Sequence, residues 1–90
     1  MTKRLNIEFK GDSWDEYLYW QKQDKKTLKR INKLISETIR TPFSGLGNPE
    51  PLQHQLSGYW SRRINEKDRL VYSVFEDRIE IIQLRFHYNK

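Results

Sequence analysis

Apolar and polar side chains alternate along residues 4–9, Arg-Leu-Asn-Ile-Glu-Phe, which puts Leu5, Ile7 and Phe9 on one face of a strand. Gly11-Asp12 interrupts the alternation, and the period then changes. Ser13-Trp14-Asp15-Glu16 has the form of a capping box, with Ser13 at the N-cap and Glu16 three positions on. Trp14, Tyr17 and Leu18 share the face of a helix of about two to three turns. Tyr19 and Trp20 fall off that face, towards a partner or the sheet edge. Asp24 caps a second helix, whose apolar stripe is Leu28, Ile31, Leu34, Ile35, Thr38 and Ile39. Lys25, Lys26, Lys29, Lys33 and Glu37 form its solvated face, and Pro42 ends it near Thr41.

The stretch from Thr41 to Arg69 has a different character. It holds all three prolines and three of the four glycines, with Glu50 set between Pro49 and Pro51. Residues this rigid belong where geometry has to be held, so this loop and the closing residues Arg85-Phe86-His87-Tyr88 are expected to form the working surface. Tyr59–Ile64 and Arg69–Phe75 read as a hairpin about the polar turn Asn65-Glu66-Lys67-Asp68. Glu76-Asp77-Arg78 is the next turn, and Ile79–His87 the last strand. A pair of antiparallel helices that returns the chain to the end where the first strand finished sets the next strand antiparallel to it. The expected fold is therefore α+β. An N-terminal strand and two helices pack on one face of a twisted antiparallel sheet, in a single domain spanning residues 1–90.

Ninety residues support only a modest core, but three tryptophans, five tyrosines and four phenylalanines enlarge it, and a disordered chain does not spend aromatics this way. The absence of cysteine excludes disulfides and thiolate chemistry. No apolar run approaches a membrane span and no signal peptide is present, so a cytoplasmic domain without membrane partners is expected. Seventeen basic against twelve acidic residues give a net charge of +5, which suits a polyanion.

The available chemistry is narrow. His54 and His87 are the only histidines, and no metal-ligand spacing accompanies them, so neither metal nor cofactor is expected. Gly45-Leu46-Gly47 lacks the following Gly-Lys-Ser/Thr of a phosphate loop. RNA carries its own nucleophile, the 2′-hydroxyl. A protein that cleaves it supplies a base for that proton, an acid for the departing 5′-oxygen and cations for the phosphate. Glu50 can act as the base and His87 as the acid. Arg63 or Arg69 can hold the phosphate through a planar fork, and Tyr88 can stack on a base or bond a phosphate oxygen. Each residue also has a plainer reading. Glu50 can be a solvated loop carboxylate, Arg69 can pair with Asp68 or Glu66, and Tyr59 and Trp60 can be packing residues. Arg62 and Arg63 are adjacent in a strand and face opposite ways, which leaves one of them for structure.

Several runs together are similar to the YoeB toxins of the RelE/ParE superfamily: Tyr17-Leu18-Tyr19-Trp20-Gln21, Arg40-Thr41-Pro42-Phe43, Gly45-x-Gly47-x-Pro49-Glu50-Pro51-Leu52, Leu56 through Ile64, Arg69-Leu70-Val71-Tyr72, and His87-Tyr88. The resemblance spans about Leu5 to Tyr88. It implies a RelE-like fold and a type II toxin that acts as a metal-independent endoribonuclease, entering the A site of the 30S subunit beside ribosomal RNA and cutting the messenger RNA there. Its expected partners are a YefM-type antitoxin, operator DNA only through the antitoxin complex, and a second copy of the chain in a homodimer. By this resemblance Glu50 is the general base and His87 the general acid. Arg69 stabilises the phosphate, Tyr88 orients the substrate, and Arg63, with Arg62, contacts RNA. The alternative is a superfamily member without catalysis, serving antitoxin binding and autoregulation. Leu46, Asn48 and Gln53 stand where the family carries lysines, and Asn89-Lys90 extend past its usual terminal tyrosine.

Overall fold

In the computed structural model, which describes residues 5–86, the alternating segment forms β1 (Asn6–Phe9) and the two helical patterns form α1 (Ser13–Gln23) and α2 (Lys25–Arg40). A two-residue strand, β2 (Glu50–Pro51), and a 3-10 turn at His54–Leu56 lie within the long loop. The chain then forms β3 (Trp60–Arg63), β4 (Arg69–Val74) and β5 (Arg78–Gln83). The single sheet has the order β1-β5-β4-β3-β2. Among the described residues no helix is long and apolar enough to cross a membrane.

α2 follows its sequence pattern closely. Asp24 Oδ1 accepts from the amides of Lys26 and Thr27, supplying partners for orphan donors of the first turn. Ile31, Leu34 and Thr38 of the stripe are buried, and the lysine face is exposed. α1 departs from expectation. Ser13 is already helical, Asp12 at the cap position makes no side-chain cap bond, and the capping box does not form. Instead Ser13 Oγ donates to the Ile81 carbonyl at 2.9 Å, and a Glu16 carboxylate oxygen accepts from the Leu84 amide at 2.7 Å. Both side chains serve backbone groups in and just past β5 rather than those of their own helix: the Ile81 carbonyl, which also accepts from the Lys10 amide at 2.8 Å, and the Leu84 amide.

The face that α1 buries is therefore Ser13, Glu16, Tyr17 and Trp20. Trp20 is a core residue whose Nε1 donates to the Leu84 carbonyl at 2.8 Å. Trp14 and Leu18 stay exposed, and Trp14 stacks on Tyr17 with centroids 5.4 Å apart while Phe9 meets its edge.

The sheet is mixed. β2–β3, β3–β4 and β4–β5 are antiparallel, whereas β1 pairs with β5 in parallel, Ile7 opposite Ile79 and Phe9 opposite Ile81. This corrects the expected all-antiparallel arrangement, and the helices supply the reason. α1 contacts Ile81 with Ser13 and Leu84 with Trp20, so it advances along β5 in the direction β1 was already running. α2 then comes back: Arg30 bonds the Arg63 carbonyl at the end of β3, and Phe43, just past the helix, packs on Trp60 at the start of β3. The helix pair thus delivers the chain to the end of the sheet where β1 begins, and β3 runs parallel in direction to β1.

Trp20, Ile31, Leu34, Ile64, Leu70, Tyr72, Ile79, Ile81 and Leu84 form the core between sheet and helices. The turn Asn65–Asp68 closes as its composition predicts, with Asn65 Oδ1 accepting from the amides of Lys67 and Asp68. The last strand is shorter than expected. A β-bulge leaves Tyr72 opposite Ile81 and Val71 opposite Gln83, so β5 carries one extra residue. The bulge shifts the phase, turns Leu84 into the core and ends the strand at Gln83.

Trp20→Phe removes the donor for the Leu84 carbonyl and leaves a small void. The substitution is expected to cost about 2 kcal/mol and to lower Tm by roughly 8–16 °C for a domain of this size, as measured by thermal unfolding. An unchanged Tm would show that Trp20 does not anchor α1 to the sheet.

Candidate active site

Glu50 occupies β2, flanked by prolines that lack an N–H and hold the backbone extended. β2 pairs only with β3, Glu50 opposite Ser61 and Pro51 opposite Trp60, and the Leu52 amide continues the contact to the Tyr59 carbonyl at 2.9 Å. Arg63 lies opposite Arg69 at the far end of the β3–β4 hairpin. Ser61 and Arg63 are two residues apart, so they and their cross-strand partners share one sheet face. Glu50, Arg63 and Arg69 therefore stand on the same face, with the Cα atoms of Glu50 and Arg63 about 8 Å apart by strand geometry. Glu50 and Arg63 are exposed.

Arg69 is largely buried, and its guanidinium is held in place. Nη1 donates to the Asn65 carbonyl at 2.6 Å and to the Asp68 carbonyl at 3.1 Å. The sequence allowed an ion pair with Asp68, but the Asp68 carboxylate is used elsewhere: it accepts from the Phe86 amide at 2.6 Å. The Phe86 carbonyl in turn accepts from the Arg69 amide at 3.1 Å and from Gln83 Nε2 at 2.8 Å. Phe86 has a φ of +69°, an uncommon conformation for a bulky side chain, which these bonds impose. His87 is the next residue in the chain. His87 and Tyr88 lie outside the described residues.

Arg62, expected to contact RNA, is instead fully buried on the helix side of the sheet. Its Nε donates to Tyr72 Oη at 3.2 Å, Nη1 to the Leu46 carbonyl at 2.8 Å, and Nη2 to the carbonyls of Ser44, at 3.0 Å, and Thr41. With its donors occupied by protein oxygens and no solvent access, Arg62 is not a phosphate ligand. Of the two adjacent arginines, Arg63 is the exposed one and Arg62 the structural one. Trp60 is likewise a packing residue, its ring 4.9 Å from that of Phe43. His54 is exposed in the 3-10 turn at φ +59°, its carbonyl bonded by the Ser57 amide.

Asp68 and Phe86 also line an open cleft of about 460 Å³ with Tyr19, Trp20, Glu66, Lys67 and Arg85. The Arg85 guanidinium lies 3.5 Å from the Tyr19 centroid and 4.6 Å from that of Phe86. The sequence placed Phe86 only generally, among the closing residues, and Asp68 in a polar turn as a partner for Arg69; neither these bonds nor those of Tyr72 were legible in it. Their part in the site comes from bonds between distant segments. Among the described residues no three His, Cys, Asp or Glu side chains are grouped as metal ligands.

Burial pushes the Glu16 carboxyl up from its ordinary value, opposed by the Leu84 amide that it accepts. Burial also raises the Tyr72 phenol, which therefore remains a donor, bonding the Pro42 carbonyl at 2.7 Å. The hydrogen bond from Arg40 holds the Glu37 carboxyl low, with smaller contributions from Thr41 and the charge of Arg62.

Residues 9–88 match the family model of the YoeB-like toxins of bacterial type II toxin–antitoxin systems. Over 84 residues the chain is 60% identical to the toxin YoeB of Escherichia coli, covering 93% of this chain and 100% of that relative. The structure of a YoeB dimer from Staphylococcus aureus is similar with a TM-score of 0.88 at 44% identity, over 94% of this chain and 99% of that one. The heterotetrameric YoeB–YefM toxin–antitoxin complex from the same organism gives 0.86 at 44% identity over the same shares.

The raised pKa of Glu16 has a definite sign in stability. The contribution is fully present below the ordinary value of 4.5 and is lost as pH rises through the higher folded value. Glu16→Gln keeps an oxygen for the Leu84 amide but does not titrate. The variant is therefore expected to gain stability relative to the parent as pH rises from about 4 to 7, measured by urea unfolding. A parent that gained on the variant across that range would reverse the assignment.

Proposed function

Because the chain belongs to the YoeB toxins of bacterial type II toxin–antitoxin systems, we propose that it is a ribosome-dependent endoribonuclease that cuts messenger RNA in the A site of the 30S subunit and so inhibits translation. The observation that supports this best is the common face of Glu50, Arg63 and Arg69, together with the tie that brings Phe86, the residue before His87, against Arg69.

Glu50 takes the proton of the 2′-hydroxyl, and the 2′-oxygen attacks the adjacent phosphorus in line. The P–O5′ bond breaks, and His87 gives its proton to the departing 5′-oxygen. The products are a 2′,3′-cyclic phosphate and a free 5′-hydroxyl. Arg69 stabilises the charge on the phosphate as it develops. Its guanidinium is set in advance by the carbonyls of Asn65 and Asp68, so little reorganisation accompanies the reaction. Arg63, exposed on the same face, contacts the RNA backbone, and Tyr88 orients the substrate. The nucleophile belongs to the substrate, so the reaction calls for no metal ion. A YefM-type antitoxin restrains the toxin in the cell, and DNA is bound only through that complex. The chain also self-associates as a homodimer, after the S. aureus neighbour. Both ribosomes and message place its action in the cytoplasm.

Single-turnover cleavage of ribosome-bound message, with ribosome binding assayed in parallel, tests the assignment. Glu50→Gln and His87→Gln are each expected to slow cleavage by roughly two to four orders of magnitude while binding is kept. Arg69→Lys should be similarly damaged, because an ammonium lacks the fork. A message with a 2′-deoxy sugar at the cut site should resist, and cleavage should survive chelator at levels that leave the ribosome intact. Cleavage of the deoxy substrate at the parent rate, or carboxamide variants within a few-fold of the parent, would exclude this mechanism and leave antitoxin binding and autoregulation as the function.

A further inference from the structure

Residues 41–46 follow α2 without regular secondary structure; within the segment the Thr41 carbonyl accepts from the Ser44 amide at 3.4 Å and the Ser44 carbonyl from Thr41 Oγ1 at 3.0 Å. Four of its backbone carbonyls, those of Thr41, Pro42, Ser44 and Leu46, turn towards the sheet and meet one apparatus. Arg62 donates to the first, third and fourth, and Tyr72 Oη, itself an acceptor from Arg62 Nε, donates to the second. A guanidinium suits this task because it carries five donors in one rigid plane and no acceptor. A buried cation is expensive to desolvate, and an apolar side chain of similar volume would often serve stability as well. What an apolar side chain cannot do is fix several carbonyls of an irregular loop at once. The nearest carboxylate influence is that of Glu37, which is paired directly with Arg40 at 2.6 Å and is also held low, to a smaller extent, by the charge of Arg62.

The clamped segment leads straight to Glu50. The Gly47 carbonyl accepts from the Arg63 amide at 2.8 Å. Gly47 itself has φ +86°, and a Cβ there would lie 2.8 Å from Leu34 and 3.0 Å from Arg62. The chain therefore passes between α2 and β3 with no slack, and reaches β2 three residues later.

We infer that Arg62 and Tyr72 are positioning residues for the reaction: their hydrogen-bond clamp on the carbonyls of residues 41–46 sets the base Glu50 over the face shared with Arg63 and Arg69. The inference rests on the cleavage activity proposed above for its catalytic consequence, but the clamp itself can be measured without it.

Tyr72→Phe is the gentle variant, since the ring stays and only the hydroxyl is lost; Arg62→Lys keeps the charge but not the fork. Two measurements decide the matter. In hydrogen exchange on the whole chain, the amides of Ser44 and Arg63, which bond the Thr41 and Gly47 carbonyls of the clamped segment, should exchange about tenfold faster in Tyr72→Phe, with the rest of the sheet unchanged. Unaltered exchange at those two amides overturns the clamp, whether or not the protein cleaves RNA. In single-turnover cleavage, Tyr72→Phe should lower the rate about tenfold at saturating ribosome with half-saturation unchanged, because a small misplacement of a base acts on the chemical step. In a Glu50→Gln background the same substitution should have no further effect, since no base remains to be placed. Losses that multiply in the double variant would mean that Tyr72 acts otherwise than through Glu50, and the positioning role would fall. A parent that cleaves nothing overturns both the proposed function and this catalytic role, while the exchange result still judges the clamp. Arg62→Lys should reproduce the tenfold-faster exchange if it folds with native circular dichroism.

Discussion

The site depends on a guanidinium buried where the sheet meets the end of α2. Arg62 is fully buried, yet the atoms it bonds are neutral oxygens, one of them a phenol and the others main-chain carbonyls. A short domain with a modest core has few ways to hold a loop that is neither helix nor strand. Apolar side chains can cover such a loop but cannot satisfy its carbonyls, and an unsatisfied buried carbonyl costs about as much as a lost hydrogen bond. One arginine satisfies three carbonyls and recruits Tyr72 for a fourth. With the loop fixed at one end by this network and at the other by pairing to β3, the carboxylate of Glu50 has a defined address on the sheet although it lies in a largely irregular stretch.

The other half of the site is organised by the same device with the charges reversed. The turn after β5 is held by two carboxylates and by neutral donors. Glu16 accepts from the Leu84 amide and Trp20 donates to the Leu84 carbonyl; Asp68 accepts from the Phe86 amide and Gln83 donates to the Phe86 carbonyl. This places α1, the β3–β4 turn and the end of β5 in one network, with the Arg69 amide as a member. α1 is therefore more than a lid over the core. Its inward polar residues and its tryptophan aim the segment from which His87 continues, and Arg85 is laid on Tyr19 of the same helix.

Much of this protein was fixed by local rules that a sequence displays. The period of α2, its Asp24 cap and its stop before Pro42 depend on neighbours a turn away. The Asn65–Asp68 turn depends on one side chain reaching its own backbone, and the strand alternation depends on the pleat. The family membership was carried by short runs whose residues stand in order along the chain, and Glu50 and Arg69 were legible as candidates because RNA cleavage needs few groups and the chain offers few.

Tertiary structure decided whatever turned on partners distant in sequence. Ser13 and Glu16 look like a helix cap and are instead bonded to Ile81 of β5 and to Leu84 just past it, each 68 residues on. Trp20 lies off the face defined by Trp14 and Leu18, yet it is Trp20 that is buried, because the sheet approaches α1 from the side where polar groups must also be met. The parallel pairing of β1 followed from the direction in which α1 leaves it, which no local signal states. Arg62 and Arg63 are the same residue type at adjacent positions. Alternation said that they part company, and only the packed fold, by placing the carbonyls of one loop on one side of β3 and the outward face on the other, decided which was buried to hold the loop and which was left exposed beside Glu50.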